Sequence, residues 1–305
     1  MPPVLPEFAI DPHPRVAPDG LQQRVDAMNR PLPAAATLDG LRRIAGLTDL
    51  TTLSGADTPG KVRALCQRAI SPLPTDPLTP HTAAVCVHSR FTSLAVELVK
   101  GSDVRVAAVA TAFPAGQVDD ALRYDEVRAA VAAGAHEIDM VIRRTDALLG
   151  QWEAVEADVR AVKQACGDAR LKVILETGEL QDLNRVRRAS WTAMRAGADF
   201  IKTSTGKVTP AATLPVTLCM LDAIADFHTV TGLRVGMKPA GGIRTSTQAL
   251  QYLSLVSQTL GDSWIHPHWF RFGASSLLTD VLYHIERLHR GGWPARSIIP
   301  SLGAY

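Results

Sequence analysis

Three residues in this 305-residue chain stand where side chains of their type are costly to place. Lys202 follows Phe200 and Ile201 in "DFIKTSTGKV", Lys238 follows Met237 in "LRVGMKP", and Asp139 sits between Ile138 and Met140 in "HEIDMVI". A lysine inside an apolar strand loses its water, and a second ammonium group nearby repels it; both effects disfavour the protonated form. A neutral amine adds to an aldehyde carbon and forms an imine. A carboxylate converging on the two amines can relay protons through a water. A single strand-end lysine ordinarily reaches out to solvent, so the pair with Asp139 carries the reading. Lysine is also scarce here, seven residues against 25 arginines, which sets Lys202, Lys207 and Lys238 apart from the chain's general positive charge.

Two further stretches suit an anion. "PAGGIRT" (239–245) places Gly241 and Gly242 directly after one apolar run and before a helix, and "RFGASSLL" (271–278) does the same with Gly273, Ser275 and Ser276. Backbone N–H groups at such helix starts cradle phosphate, and Lys207 adds a charge. Cys86 near the end of another run is read chiefly as a small hydrophobe that could line the pocket. Glu176 is read as a supporting acid or an ion-pair member. His266 and His268 lack a third histidine at ligand spacing, so no metal centre is expected, and no cofactor is called for.

The elements that must position these groups repeat in a short rhythm of apolar run, turn and amphipathic helix. Strands are expected at 44–50, 83–88, 104–111, 136–142, 171–177, 199–204, 233–239 and 269–273. Helices are expected at 118–133, 145–166, 182–196, 215–231 and 245–260. Thr58-Pro59 and Thr245 or Ser246 read as helix entries. Eight continuous apolar strands alternating with helices predict a parallel sheet closed into a (β/α)8 barrel, an α/β fold. A doubly wound open sheet is the alternative, but G-x-G-x-x-G after the first strand is missing. In a barrel the catalytic groups collect where strands end. Parity then sends Glu137, Asp139 and Lys202 inward, and Ile138, Met140, Ile142 and Ile201 toward the helices. Residues 1–40, rich in Pro and Ala, read as an N-terminal extension, 41–292 as the barrel and 293–305 as a tail.

Composition narrows the partners. The net charge of +2 gives no sign of a polyanion-binding protein, so no nucleic acid is expected. No apolar run reaches membrane-spanning length, and the N-terminus lacks the pattern of a signal peptide. Four scattered cysteines read as reduced thiols of a cytoplasmic protein. A homo-oligomer is left open.

In the order "DLTTLSGADT", "FPAGQ", "EIDMVI", "KVILETGEL", "FIKTSTGKV", "KPAGGIRT" and "RFGASSLL", the chain from about Asp49 to Ile285 resembles the deoxyribose-phosphate aldolases, class I aldolases with a (β/α)8 barrel. The resemblance implies reversible cleavage of 2-deoxy-D-ribose 5-phosphate to acetaldehyde and D-glyceraldehyde 3-phosphate, without a cofactor. It implies Lys202 as the Schiff-base lysine, Lys238 as the second active-site lysine and Asp139 as the proton relay. Substrate hydroxyl contacts would fall on Asp49, Thr51 and Thr205, and phosphate contacts on Lys207, Gly241, Gly242, Ser275 and Ser276. Strand two reads "CVHSRF" where relatives often carry Tyr-Pro before the arginine, and the loop before it is long. The terminal Tyr305 matches members whose tail ends in a tyrosine near the active site. Two other readings stay open: a Schiff-base aldolase for another phosphosugar, and a sugar-phosphate-binding barrel without turnover.

Overall fold

A computed structural model describes residues 15–28, 38–180 and 182–291. The chain runs α1 (Pro18–Met28), α2 (Leu38–Gly46), β1 (Thr48–Thr51), α3 (Pro59–Ile70), β2 (Ala84–His88), α4 (Thr92–Val99), β3 (Arg105–Ala110), α5 (Asp120–Ala132) and β4 (Glu137–Val141). It continues α6 (Arg144–Leu148), α7 (Trp152–Ala165), β5 (Arg170–Ile174), α8 (Thr177–Leu180), α9 (Leu183–Arg195), β6 (Phe200–Lys202), α10 (Leu214–Thr231), β7 (Gly236–Lys238), α11 (Ser246–Leu260), β8 (Phe272–Gly273) and α12 (Ser276–Arg290).

All strand pairs are parallel, in the order β7-β6-β5-β4-β3-β2-β1-β8. Parallel bridges at Met237–Phe270 and Ala240–Gly273 bring β8 back to β7 and close the barrel. The side-chain period of two sorts the strands cleanly. Val85, Val87, Val106, Ala108, Ile138, Met140, Leu171, Val173, Ile201 and Met237 join the main core beneath the helices. The alternate residues Cys86, Ala107 and Val109 form a separate small apolar cluster with Leu53 and Phe113, inside the barrel. Glu137, Asp139, Lys172, Lys202 and Lys238 share that inward parity and are buried. Each charged inward residue thus stands beside an outward one that packs in the core, which is how the sequence tolerates ions in its strands.

Local signals set the helix entries. Thr58 accepts from the Lys61 N–H with Pro59 at the first helical position of α3. Thr245 and Gln248 make a reciprocal capping box on α11. Two expectations need correction. The run 44–50 is not one strand: Ile44 and Ala45 end α2 with their side chains in the core, and β1 starts at Thr48. The helix expected over 145–166 is two, α6 and α7, broken at Gly150, whose φ of +75° does not continue a helix. Ahead of the barrel, α1 buries Leu21 and Val25, and its Arg24 holds the Asp222 carboxylate of α10 with bonds of 2.6 and 2.8 Å. Among the described residues, no helix is long and apolar enough to cross a membrane.

Candidate active site

The barrel interior holds a cluster of seven ionisable side chains from five strands and the segment entering β8. Lys202 of β6 and Lys238 of β7 are register partners. Each donates to the same oxygen, Oδ2 of Asp139, at 2.8 Å. The other oxygen of Asp139 accepts from Lys172 Nζ at 3.0 Å, and Asp139 and Lys172 are themselves register partners across β4 and β5. Lys172 also donates to Glu137 and lies 3.8 Å from Asp49. Arg271 spans Asp49, at 2.6 Å, and Glu137, at 2.9 Å. Lys238 Nζ stands 2.5 Å from Asp49 Oδ2 as a close charge contact.

Burial alone would raise the three carboxyls, but the cations outweigh it. Lys172, Lys202 and Lys238 hold Asp139 well below the ordinary carboxylate range. Lys238, Arg271 and Lys172 do the same for Asp49, and Lys172 and Arg271 lower Glu137. Conversely, burial would lower Lys238, yet Asp139 and Asp49 beside it push it upward, so it keeps its proton. Cys86 of β2 points its thiol at Asp139 Oδ2, 3.9 Å away; burial first and Asp139 second push that thiol up to about 11.

The sequence brought Lys202, Lys238 and Asp139 together correctly as neighbours in space. Asp49 lies in the same cluster, fully buried with its oxygens facing Arg271 and Lys238. Thr51 is half-buried and donates to the Asp49 carbonyl at 2.9 Å. Thr205 is buried above β6 and donates to Glu176 at 2.5 Å. Lys207, exposed beyond it, has no ion-pair partner among the described residues.

Around the mouth, Gly241 has a φ of +78°, and a Cβ there would sit 2.8 Å from Ala211 and 3.1 Å from Gly206. Its N–H is committed to the Gly273 carbonyl at 3.1 Å, so Gly241 serves the turn sterically. Gly242 also has positive φ and is exposed. The Ser275 hydroxyl donates to the Thr51 carbonyl at 2.5 Å, while exposed Ser276 opens α12. Tyr305 lies outside the described residues. His266 and His268 precede β8, at the opposite end of the barrel from the strand ends.

Sequence reasoning missed Lys172 and Arg271. Both carried a legible signal: Lys172 alternates with the core residues Leu171 and Val173, and Arg271 separates the core residues Phe270 and Phe272. The parity argument applied to β4 points both of them inward.

An eight-stranded parallel barrel with a buried amine–carboxylate cluster in its interior, whose Lys202 and Lys238 end β6 and β7, defines a barrel enzyme equipped to work on a carbonyl. The model of the DeoC/LacD family aldolases matches residues 43–280. The deoxyribose-phosphate aldolase of Mus musculus is 52% identical over 249 residues, covering 77% of this chain and 78% of that one. The Homo sapiens deoxyribose-phosphate aldolase is 50% identical over the same span and coverage. Among solved structures, a tetrameric deoxyribose phosphate aldolase from Aeropyrum pernix is 27% identical with a TM-score of 0.62, covering 90% of this chain and 99% of that one. This chain belongs to the DeoC/LacD aldolase family.

Proposed function

We propose that this protein is a deoxyribose-phosphate aldolase, reversibly cleaving 2-deoxy-D-ribose 5-phosphate to acetaldehyde and D-glyceraldehyde 3-phosphate, with Lys202 forming the Schiff base. Identity of about half with curated deoxyribose-phosphate aldolases over most of the chain supports the reaction. The single observation that carries the choice of lysine is charge balance within the cluster. Four cations face three carboxylates, so full ionisation leaves one buried positive charge in excess. Arg271 does not release a proton, and Lys238 is held protonated. Among the described residues, Lys172 meets three carboxylates, whereas Lys202 meets only Asp139. Lys202 is therefore the amine with the fewest carboxylate partners in the cluster.

In this mechanism the Lys202 amine adds to the C1 aldehyde, and loss of water from the adduct leaves a protonated imine. The imine draws electrons as the C2–C3 bond breaks. The C3 hydroxyl loses its proton and becomes the aldehyde of glyceraldehyde 3-phosphate, while C1 and C2 remain on Lys202 as an enamine. Protonation at C2 and hydrolysis release acetaldehyde and restore the amine. Lys238 is placed to give a proton and Asp139 to take one, through a water where the distance requires it. Lys207 and the N–H groups of Gly242, Ser275 and Ser276 would hold the phosphate, fixing the reacting carbons relative to Lys202. Gly241 would shape that turn, and Asp49, Thr51 and Thr205 would align the sugar.

On this reading the catalytic unit is residues 41–292, and its partners are the phosphosugar and the two aldehydes. Four buried free cysteines support a reducing, cytoplasmic setting. The test is a cleavage assay that couples glyceraldehyde 3-phosphate release to its reduction. Turnover of 2-deoxyribose 5-phosphate and none of fructose 1,6-bisphosphate is expected. The reverse preference would assign a different phosphosugar, and binding without turnover would assign a non-catalytic barrel.

A further inference from the structure

Glu176 stands just after β5 with a backbone that its residue type disfavours. Its φ is +51°, in the left-handed region, although it is neither glycine nor asparagine. Its neighbours pin this conformation against the lysine strand: the Leu175 N–H donates to the Lys202 carbonyl at 3.0 Å and the Thr177 N–H to the Thr203 carbonyl at 2.9 Å. Such strain persists only where the surroundings enforce it, and it gathers at functional sites. Two residues on, Gly178 permits a close approach, since a Cβ there would fall 2.1 Å from the Pro210 carbonyl oxygen. The turn after β5 is thus fitted tightly to the loop that carries Thr205 and Lys207.

The kinked backbone aims the Glu176 carboxylate at Thr205. Oε1 accepts from the Thr205 N–H at 3.2 Å and Oε2 from its hydroxyl at 2.5 Å. Arg144 is more distant, 3.8 Å from Oε2. It is engaged by Glu179 at 2.8 Å and by the carbonyls of Pro114 and Ala115 at 3.0 and 2.6 Å. Glu176 is fully buried, so it acts through Thr205. A threonine hydroxyl has one proton and two lone pairs. The proton goes to Glu176, and the Lys207 N–H takes one lone pair at 3.1 Å. What remains is one acceptor position.

We infer that Glu176 is a positioning residue that commits the Thr205 hydroxyl proton, so that Thr205 meets the bound sugar phosphate only as an acceptor from a substrate hydroxyl. This rests on the aldolase reading above. It makes the sign of the contact a property of the turn after β5: the site selects a ligand that donates there, and a ligand with only an acceptor at that position would face a second acceptor.

Glu176→Gln tests it. The amide keeps the volume and can accept from the Thr205 N–H, but its NH2 group donates to the Thr205 oxygen and returns the hydroxyl proton to the site. The KM for 2-deoxyribose 5-phosphate should rise about tenfold while kcat falls less than about threefold. In a Thr205→Val background the same substitution should change KM less than about twofold, because the group it acts through is gone. If the glutamine variant does not fold, Glu176→Gly removes both the strain and the carboxylate and should show the same KM-specific loss. A KM within about twofold of wild type in either variant, or an equal penalty with and without Thr205, overturns the inference. Wild-type protein that fails to cleave the sugar phosphate overturns the aldolase reading and this inference together.

Discussion

Lys202 and Lys238 stand opposite each other on adjacent strands and donate to one and the same oxygen of Asp139, each at 2.8 Å. A single carboxylate oxygen therefore arbitrates between two amines whose neighbourhoods differ. Lys238 has Asp49 as a second carboxylate, and Lys202 has no second one among the described residues. In the proposed mechanism that asymmetry would leave Lys238 as the proton donor and Lys202 as the nucleophile.

Asp139→Asn should remove both functions of that carboxylate. The amide keeps the shape but leaves Lys172, Lys202 and Lys238 around a neutral group. Turnover should fall by roughly 10²–10⁴-fold. Stability should fall by about 3 kcal/mol at neutral pH, the cost of stripping one partner from a buried ionic cluster. Urea unfolding at pH 7 checks the size of that loss.

Legibility of the site followed parity. In β4, Glu137 and Asp139 alternate with Ile138 and Met140, which lie in the core, so facing could be read directly from the sequence. The juxtaposition of Lys202 and Lys238 was likewise readable, because they end consecutive strands. Lys172 escaped notice because "LKVIL" reads as a continuous apolar run once the long aliphatic stem of lysine is discounted. Arg271 reaches Asp49 and Glu137, 222 and 134 residues away in sequence. Such contacts depend on barrel closure and stagger, which no local pattern records. The misplaced start of β1 has a local cause: Ile44, Leu47 and Leu50 are all buried, but the first belongs to a helix and the last to a strand.

Acid should weaken the fold through carboxyls held below their ordinary values. Asp76, just after α3, accepts two bonds from Arg42, each 2.9 Å, and one from Thr79, and these hold it at about 2 against an ordinary 3.8. A folded-state value below the unfolded one means the unfolded chain binds the proton more readily. Its contribution is therefore present above about pH 4 and is lost as pH falls through about 2. Asp49, Asp139 and Glu137 act in the same direction. Arg42→Ala should lower the melting temperature at pH 6, and the gap from wild type should close toward pH 2. A gap that stays constant over that range would assign the Arg42 contribution to packing.

Gly241→Ala should separate phosphate binding from chemistry. The added methyl meets Ala211 and Gly206 on the loop carrying Lys207, and positive φ penalises it further. KM for 2-deoxyribose 5-phosphate should rise about tenfold or more, whereas cleavage of unphosphorylated 2-deoxyribose should change less than about threefold. Equal losses on both substrates would place the defect at the reacting carbons.

The most direct test of the account is reductive trapping. Protein incubated with acetaldehyde and borohydride should gain a single ethyl group, and peptide mapping should place it on Lys202. Lys202→Arg, whose guanidinium stays protonated, should gain none there and should lose turnover by more than about a thousandfold. An ethyl group on Lys172 or Lys238 in the wild-type protein, or no adduct at all, would contradict Lys202 as the imine-forming residue.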